Sequence, residues 1–155
     1  MKKRIIIIGS VFILIDQLIK LLVRNTIMGV EKVIIPNFFY LSGVKNTGGA
    51  FSILSDNSIF LAFFSIIVIV LLGMYIYKKK ITSNIEMISY SILIGGIIGN
   101  LIDRIIFGGV YDYLGFIFGS YYYPIFNLAD MGIVIGIILF IILEVKGDKN
   151  GISSK

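Results

Sequence analysis

One stretch restricts this chain more than any other: Ile59–Tyr77 runs for 19 residues without a charge. The hydrocarbon core of a bilayer takes roughly 20 apolar residues as a helix. Inside it every backbone amide must be paired within the protein, which leaves a helix as the natural form for such a run. Three further segments read the same way, at about 5–23, 87–107 and 125–145. Asp16 and Lys20 interrupt the first, Asp103 and Arg104 stand near the end of the third, and Asp130 lies inside the fourth. The fourth span is drawn late because "FGSYYYPIFN" is rich in Gly, Tyr and Pro, which suits an interfacial loop better than a helix. The expectation is a single domain over residues 1–155. It is an all-α bundle of four transmembrane helices, with a small extracytoplasmic β-type cradle.

Composition supports the membrane reading and removes several chemistries. Charged residues are 15% of the chain and hydrophobic ones 57%, whereas a soluble domain carries about 25% charged residues. With no Cys and no His, thiol nucleophiles, serine–histidine triads and thiolate or imidazole metal sites are excluded. Hydrolysis, if any, rests on carboxylates, Lys, Ser/Thr or Tyr.

Basic residues set the orientation. Lys2, Lys3 and Arg4, Lys78 to Lys80, and Lys146, Lys149 and Lys155 hold nine of the 14 cations. The positive-inside rule places those segments, and both termini, in the cytoplasm. Segments 24–58 and 108–124 then face outward. The net charge of +5 belongs to this inner belt, so nucleic-acid binding is not expected. The N-terminal region starts like a signal peptide, but Asp16 and Lys20 spoil its apolar run and no small-x-small cleavage site follows. It reads as an uncleaved first helix.

Ionisable groups within spans are costly and mark functional sites. Asp16 and Lys20 are four apart, in ion-pair order, and also fit a purely structural pair. Asn100, Asp103 and Arg104 share the last turns of the third span. Asn127 and Asp130 are three apart in the fourth. Polar side chains from three helices therefore gather toward the outer side. Ser91, Gly95 and Gly99 form a small-xxx-small stripe that admits a neighbouring backbone, and Asp103 continues it. Gly132 and Gly136 form a second stripe. Gly132 is about 200° around the helix from Asp130, which assigns that stripe to a different neighbour.

Five ordered motifs carry a resemblance: "DQLIK" at Asp16–Lys20, "NTGGAF" at Asn46–Phe51, "GNLIDR" at Gly99–Arg104, "GGVYDY" at Gly108–Tyr113 and "PIFNLAD" at Pro124–Asp130. In this order, and across nearly the whole chain, they resemble the lipoprotein signal peptidase (signal peptidase II) family of aspartyl membrane peptidases. Two departures are apolar-tolerant: Tyr113 stands where the family usually has Phe, and Ile97 or Ile98 where it has a small residue. The resemblance implies removal of the signal peptide from diacylglyceryl-modified prolipoproteins, cut just before the lipidated cysteine, with no cofactor or metal. It implies a monomer among membrane lipids in the bacterial cytoplasmic membrane, with its site near the outer face. It also implies the catalytic pair Asp112 and Asp130. Asp16, Lys20, Asn46, Gly48, Asn100, Asp103, Arg104 and Asn127 bind substrate or support the site.

Depth along the helices points to a different pair. With Glu86 and Glu144 at the inner boundary and ~1.5 Å per residue, Asp103 lies about 25 Å across and Asp130 about 21 Å. Asp112 then falls beyond the outer edge of a ~30 Å core. Gly108 and Gly109, however, break the third helix and let the chain carrying Asp112 fold back. The expectation follows the resemblance, with Asp103, beside Arg104, as the alternative partner of Asp130.

Two carboxylates held close cannot both ionise easily, so the pair keeps one proton. Its anionic member takes a proton from water while the protonated one supports the carbonyl oxygen and then the leaving amine. "KVIIPNFFYLSGV" in segment 24–58 has the β-branched and aromatic residues of short strands, interrupted by Pro36. Asn46, Gly48 and Gly49 then permit a positive-φ turn. That segment reads as a substrate cradle or as a plain hairpin turn. Arg104 either helps hold the carboxylate site or snorkels to headgroups. An ion-coupled transporter would place its polar groups at midplane within an inverted repeat, and a lipid-phosphate enzyme would use three Asp on Mg²⁺.

Overall fold

The computed structural model describes residues 1–49, 54 and 56–152, without the side chains of 146–152. Its elements run α1 (Lys2–Thr26), β1 (Glu31–Ile35), β2 (Phe39–Asn46), α2 (Ser58–Lys78), α3 (Asn84–Phe107), β3 (Val110–Phe118), β4 (Tyr121–Phe126) and α4 (Leu128–Ile152). All four helices are long and apolar enough to cross a membrane. The bundle carries an antiparallel four-stranded sheet in the order β1-β2-β3-β4, so the chain is not all-α. The cradle anticipated in segment 24–58 is half of this sheet. Segment 108–124 supplies β3 and most of β4, and the fourth helix starts at Leu128, where 125 was expected. Pro124 and its aromatic neighbours form an edge strand, which tolerates a proline that a helix interior does not.

Local chemistry explains the boundaries. Ser83 caps α3, its hydroxyl accepting from Glu86 N–H at 3.0 Å, and the Glu86 carboxylate accepts from Thr82 N–H at 2.9 Å. At the other end Gly108 takes a left-handed φ of 69° and its N–H closes on the Arg104 carbonyl, so the helix stops and β3 turns back. β1 and β2 are joined through Pro36 and Asn37, whose φ is 58°. The left-handed glycines described are Gly29, Gly108 and Gly119. Asn46, expected in a positive-φ turn, closes β2 instead, opposite Val110. Ala50 and Phe51 of its motif lie outside the described residues.

α3 is the central helix, packed on the other three and buried along most of its length. Its small residues sort by neighbour. A Cβ on Gly95 or Gly99 would meet Phe12, the Gly9 carbonyl or the Asp16 carboxylate, all on α1. On α4, a Cβ on Gly132 would strike Phe12 and the Ile92 carbonyl, and one on Gly136 would strike Leu93. The second stripe thus faces α3 as well as α1. It does not face away from the helix that Asp130 meets: the Asp130 side chain reaches Asn100 of α3, while Gly132 packs further down the same helix on Ile92.

Candidate active site

A helix leaves its first four N–H groups without intrahelical partners, and the site is built where α4 solves this. Asn127 N–H donates to Asp130 Oδ2 at 3.1 Å, and Asp130 N–H donates to Asn127 Oδ1 at 2.9 Å. This is a reciprocal capping box with Asp at the usual Glu position. Between them, Leu128 N–H donates to the Tyr113 hydroxyl at 3.1 Å and Ala129 N–H to Asp16 Oδ1 at 3.1 Å. The four donors are satisfied by α4 itself, β3 and α1. Tyr113 is therefore more than an apolar substitute, since its hydroxyl holds a buried amide that Phe would leave bare.

Sheet register brings in the second carboxylate. Val44 pairs with Asp112 and Asn46 with Val110, so Asn46 and Asp112 are diagonal neighbours on one face. Asn46 Nδ2 donates to Asp112 Oδ2 at 3.0 Å, and Asn127 Nδ2 donates to Asp112 Oδ1 at 2.6 Å. Asn100 Nδ2 donates to Asp130 Oδ1 at 2.7 Å. Asp112 and Asp130 thus share Asn127, and both line one cavity of about 630 Å³. Its other walls are largely apolar, from Phe126 and Pro124 of β4 to Met131 and Val134 on the exposed face of α4. Burial pushes the Asp112 carboxyl up to about 7, helped by the charge of Asp130 and opposed by the hydrogen bonds from Asn46 and Asn127.

Arg104 turns inward. Its Nη2 donates to the Gly48 carbonyl at 3.2 Å, while Gly48 N–H donates to Asn46 Oδ1 at 2.9 Å. The guanidinium thus holds the turn that aims Asn46 at Asp112, and it does not snorkel outward.

Asp103 goes elsewhere. Lys20 Nζ lies 2.9 Å from Asp16 Oδ2 and 3.1 Å from Asp103 Oδ2, with all three side chains at 1% exposure or less. The counter-charge of Asp103 is Lys20 and not Arg104, because successive helical residues point about 100° apart. Tyr111 N–H donates to Asp103 Oδ2 at 3.3 Å, tying this cluster to the start of β3. Lys20 also donates to Asn100 Oδ1 at 2.9 Å. Through Asn100 the cluster reaches Asp130, so all the expected catalytic and supporting residues join one chain of hydrogen bonds and ion pairs. The depth estimate set Asp112 beyond the outer edge, whereas Gly108 ends α3 and β3 folds back, so that Asp112 lines the same cavity as Asp130. Gln17 was missed. Its Nε2 reaches Asp103 Oδ1 at 3.1 Å, the Gly99 carbonyl at 3.1 Å and Asp16 Oδ2 at 3.3 Å. Its polarity inside an apolar run, next to Asp16, was the available signal.

A model of the signal peptidase (SPase) II family matches residues 8–146. The chain belongs to the signal peptidase II family. A lipoprotein signal peptidase of Halothermothrix orenii is 40% identical over 94% of this chain and 97% of its own length. Those of Clostridium tetani and Bacillus pumilus are 38% and 37% identical, over 93% and 92% of this chain and 92% and 94% of theirs. A bacterial membrane enzyme solved by the in meso method at 2.3 Å resolution superposes with a TM-score of 0.86 at 32% identity. The match covers 96% of this chain and 91% of that one. Another, solved at 1.9 Å, gives 0.82 at 32% identity over 93% and 94%. Signal peptidase II membership makes the chain a peptidase, and its four apolar helices make it a multi-pass bacterial membrane protein.

Proposed function

We propose that the chain is an aspartic endopeptidase that removes the signal peptide from diacylglyceryl-modified prolipoproteins. It cuts just before the lipidated cysteine, from a site near the outer face of the bacterial cytoplasmic membrane. The observation that carries this reading is one cavity in which Asp112 and Asp130 share Asn127, with apolar walls that run onto the exposed apolar face of α4. A lipid-anchored peptide needs both a hydrolytic pair and an apolar approach. Residues 1–155 act as one domain and as a monomer, with both termini cytoplasmic and the sheet lying over the site outside.

In the reaction the pair holds one proton. The anionic carboxylate takes a proton from water, and the resulting hydroxide oxygen bonds to the scissile carbonyl carbon. The protonated carboxyl donates to the carbonyl oxygen as charge develops there. Collapse of the tetrahedral intermediate breaks the C–N bond, and a proton from the pair goes to the departing amine. Asn46, Asn100 and Asn127 fix the carboxylates, while Gly48 and Arg104 fix Asn46. Asp16, Lys20 and Asp103 hold α1, β3 and α4 in register around them. No step uses a metal.

The test is cleavage of a purified diacylglyceryl-prolipoprotein by wild type and by Asp112→Asn, Asp130→Asn and Asp103→Asn, with and without EDTA. General acid–base groups are worth about 10²–10⁴-fold each. The first two variants should fold and lose at least that much, and Asp103→Asn should keep measurable cleavage in its folded fraction. A stable but inactive Asp103→Asn beside an active Asp112→Asn would move the dyad to Asp103 and Asp130. Loss of wild-type cleavage in EDTA would replace the aspartic mechanism with a metal one.

A further inference from the structure

At the end of the bundle opposite the carboxylates lies a second cavity, of about 640 Å³, lined by residues 1–3 and 78–81. The peptidase chemistry uses none of them. Lys79 is already committed: it pairs with Glu86 at 3.3 Å and with Glu144, which ties the end of α2 to α3 and α4. Among the described residues no carboxylate pairs with Lys2, Lys3, Lys78 or Lys80, so four unneutralised lysines line one concavity.

The concavity is a built one. Lys2 donates to the Tyr77 carbonyl and stands 5.1 Å from the centre of the Tyr77 ring, which pins α1 to α2 at this end. Ile81 forms its floor and belongs to the buried cluster of Ile5, Ile76, Met87 and Tyr90. No side chain caps the first turn of α1, so its free N–H groups add to the positive potential there. Immediately along the two helices come exposed apolar side chains, Ile6 at 69% and Tyr77 at 78%. The cavity therefore sits where two membrane-spanning helices emerge, with cations at its mouth and apolar surface running down from it.

We propose that this cavity binds the phosphate headgroup of an anionic phospholipid in the leaflet opposite the peptidase site, with the acyl chains lying along Ile6 and the exposed faces of α1 and α2. The argument is charge and placement. Four like charges in one concavity repel each other, and a phosphodiester relieves that repulsion while donating nothing to them. Basic pockets between transmembrane helices take lipid headgroups for this reason. A soluble phosphate offers the same charge but leaves the adjoining apolar strip uncovered, which favours the lipid. The proposal does not depend on which residues perform catalysis.

The experiment is a thermal melt of the full chain in uncharged detergent, titrated separately with phosphatidylglycerol, phosphatidylcholine and inorganic phosphate. Native mass spectrometry counts the retained lipids. The variant is Lys3→Gln/Lys78→Gln/Lys80→Gln, which spares Lys2 and Lys79 for their structural contacts. The Arg triple variant at the same positions keeps the charge. Wild type should show a saturable rise in melting temperature with phosphatidylglycerol alone and retain that lipid selectively. The Gln variant should need at least about tenfold more lipid, given what each lysine contributes near an anionic surface, and the Arg variant should match wild type. An unchanged midpoint in the Gln variant, or an equal response to phosphatidylcholine, would overturn the proposal. Saturation by inorganic phosphate with a similar rise would reassign the cavity to a free anion. If the Gln variant melts early, selective lipid retention by the Arg variant but not by Lys80→Gln still supports the site, and equal retention by both removes it.

Discussion

Asn127 performs two tasks that usually belong to different residues. Its backbone and side-chain oxygen begin α4, while its amide nitrogen holds Asp112. Reactive geometry and helix capping are thereby the same set of hydrogen bonds, which fixes the carboxylates without extra ordering. The raised Asp112 carboxyl has a pH consequence. Its ordinary value is 3.8 and its folded value about 7, so between the two the folded protein keeps a proton that the unfolded chain releases. Stability from this group falls as pH rises through that window, and above about 7 the Asp112 carboxyl has given up its proton. Cleavage should therefore decline on the alkaline side with a midpoint near 7, measured as initial rate against pH with substrate saturating. A rate that keeps rising through alkaline pH would show that the proton is not required. A second prediction concerns the buried cation. Lys20→Met would leave the Asp16 and Asp103 carboxylates facing each other without a counter-charge, at a cost of about 3–5 kcal/mol. Asp103→Asn should cost less, because Lys20 keeps Asp16 at 2.9 Å. Melting of both variants in detergent checks the order, and the reverse order would contradict it.

Among the elements, α3 does the positioning. One face meets α1 through Gly95, Gly99 and Asp103, and another meets α4 through Ser89, Gly96 and Asn100. Because α4 begins beside Gly96, close packing there sets the height of Asp130. A Cβ on Gly96 would stand 2.4 Å from the Ala129 carbonyl oxygen, a backbone atom that cannot step aside. Gly96→Ala should push the first turn of α4 away, lowering both melting temperature and cleavage, with overpacking worth about 1–3 kcal/mol. Gly73, in the middle of α2, has nothing within 4 Å of its Cβ position. Gly73→Ala should leave cleavage unchanged and stability equal or slightly higher. Equal effects of the two substitutions would mean that close helix contact is not what seats the site.

At the scale of the whole molecule, the two ends have opposite character. One end gathers the carboxylates under a sheet whose rims expose Phe38, Phe118, Tyr121 and Tyr122, and the other gathers unneutralised lysines. The arrangement predicts a cytoplasmic Lys80 and an outward Lys45, both exposed side chains. In this chain without cysteine, Lys45→Cys should react with an impermeant maleimide added to intact cells, and Lys80→Cys only after permeabilisation. The opposite pattern would invert the topology and carry the carboxylate site with it.

The sequence by itself determined the parts of this protein governed by local physics. Apolar runs of bilayer length name the helices, and the Ser83 N-cap and Gly108 set two of their ends. The i,i+4 spacing of Asp16 and Lys20 gives their ion pair, and the charged and amide residues set in apolar runs, Asp16, Lys20, Asn100 and Asp103, join the buried network. What only the tertiary structure decided depends on contacts between distant segments. Segment 108–124 reads as a loop, and 125–126 as the start of a helix, until β2 pairs with β3 and β3 with β4, because a strand's hydrogen bonds lie with its partner. Asp103 takes Lys20 rather than its neighbour Arg104 because helix rotation separates adjacent side chains while packing brings α1 against α3. Asp112 meets Asp130 because a glycine reverses the chain and a strand register then places the carboxylate, and position along a helix carries no record of either.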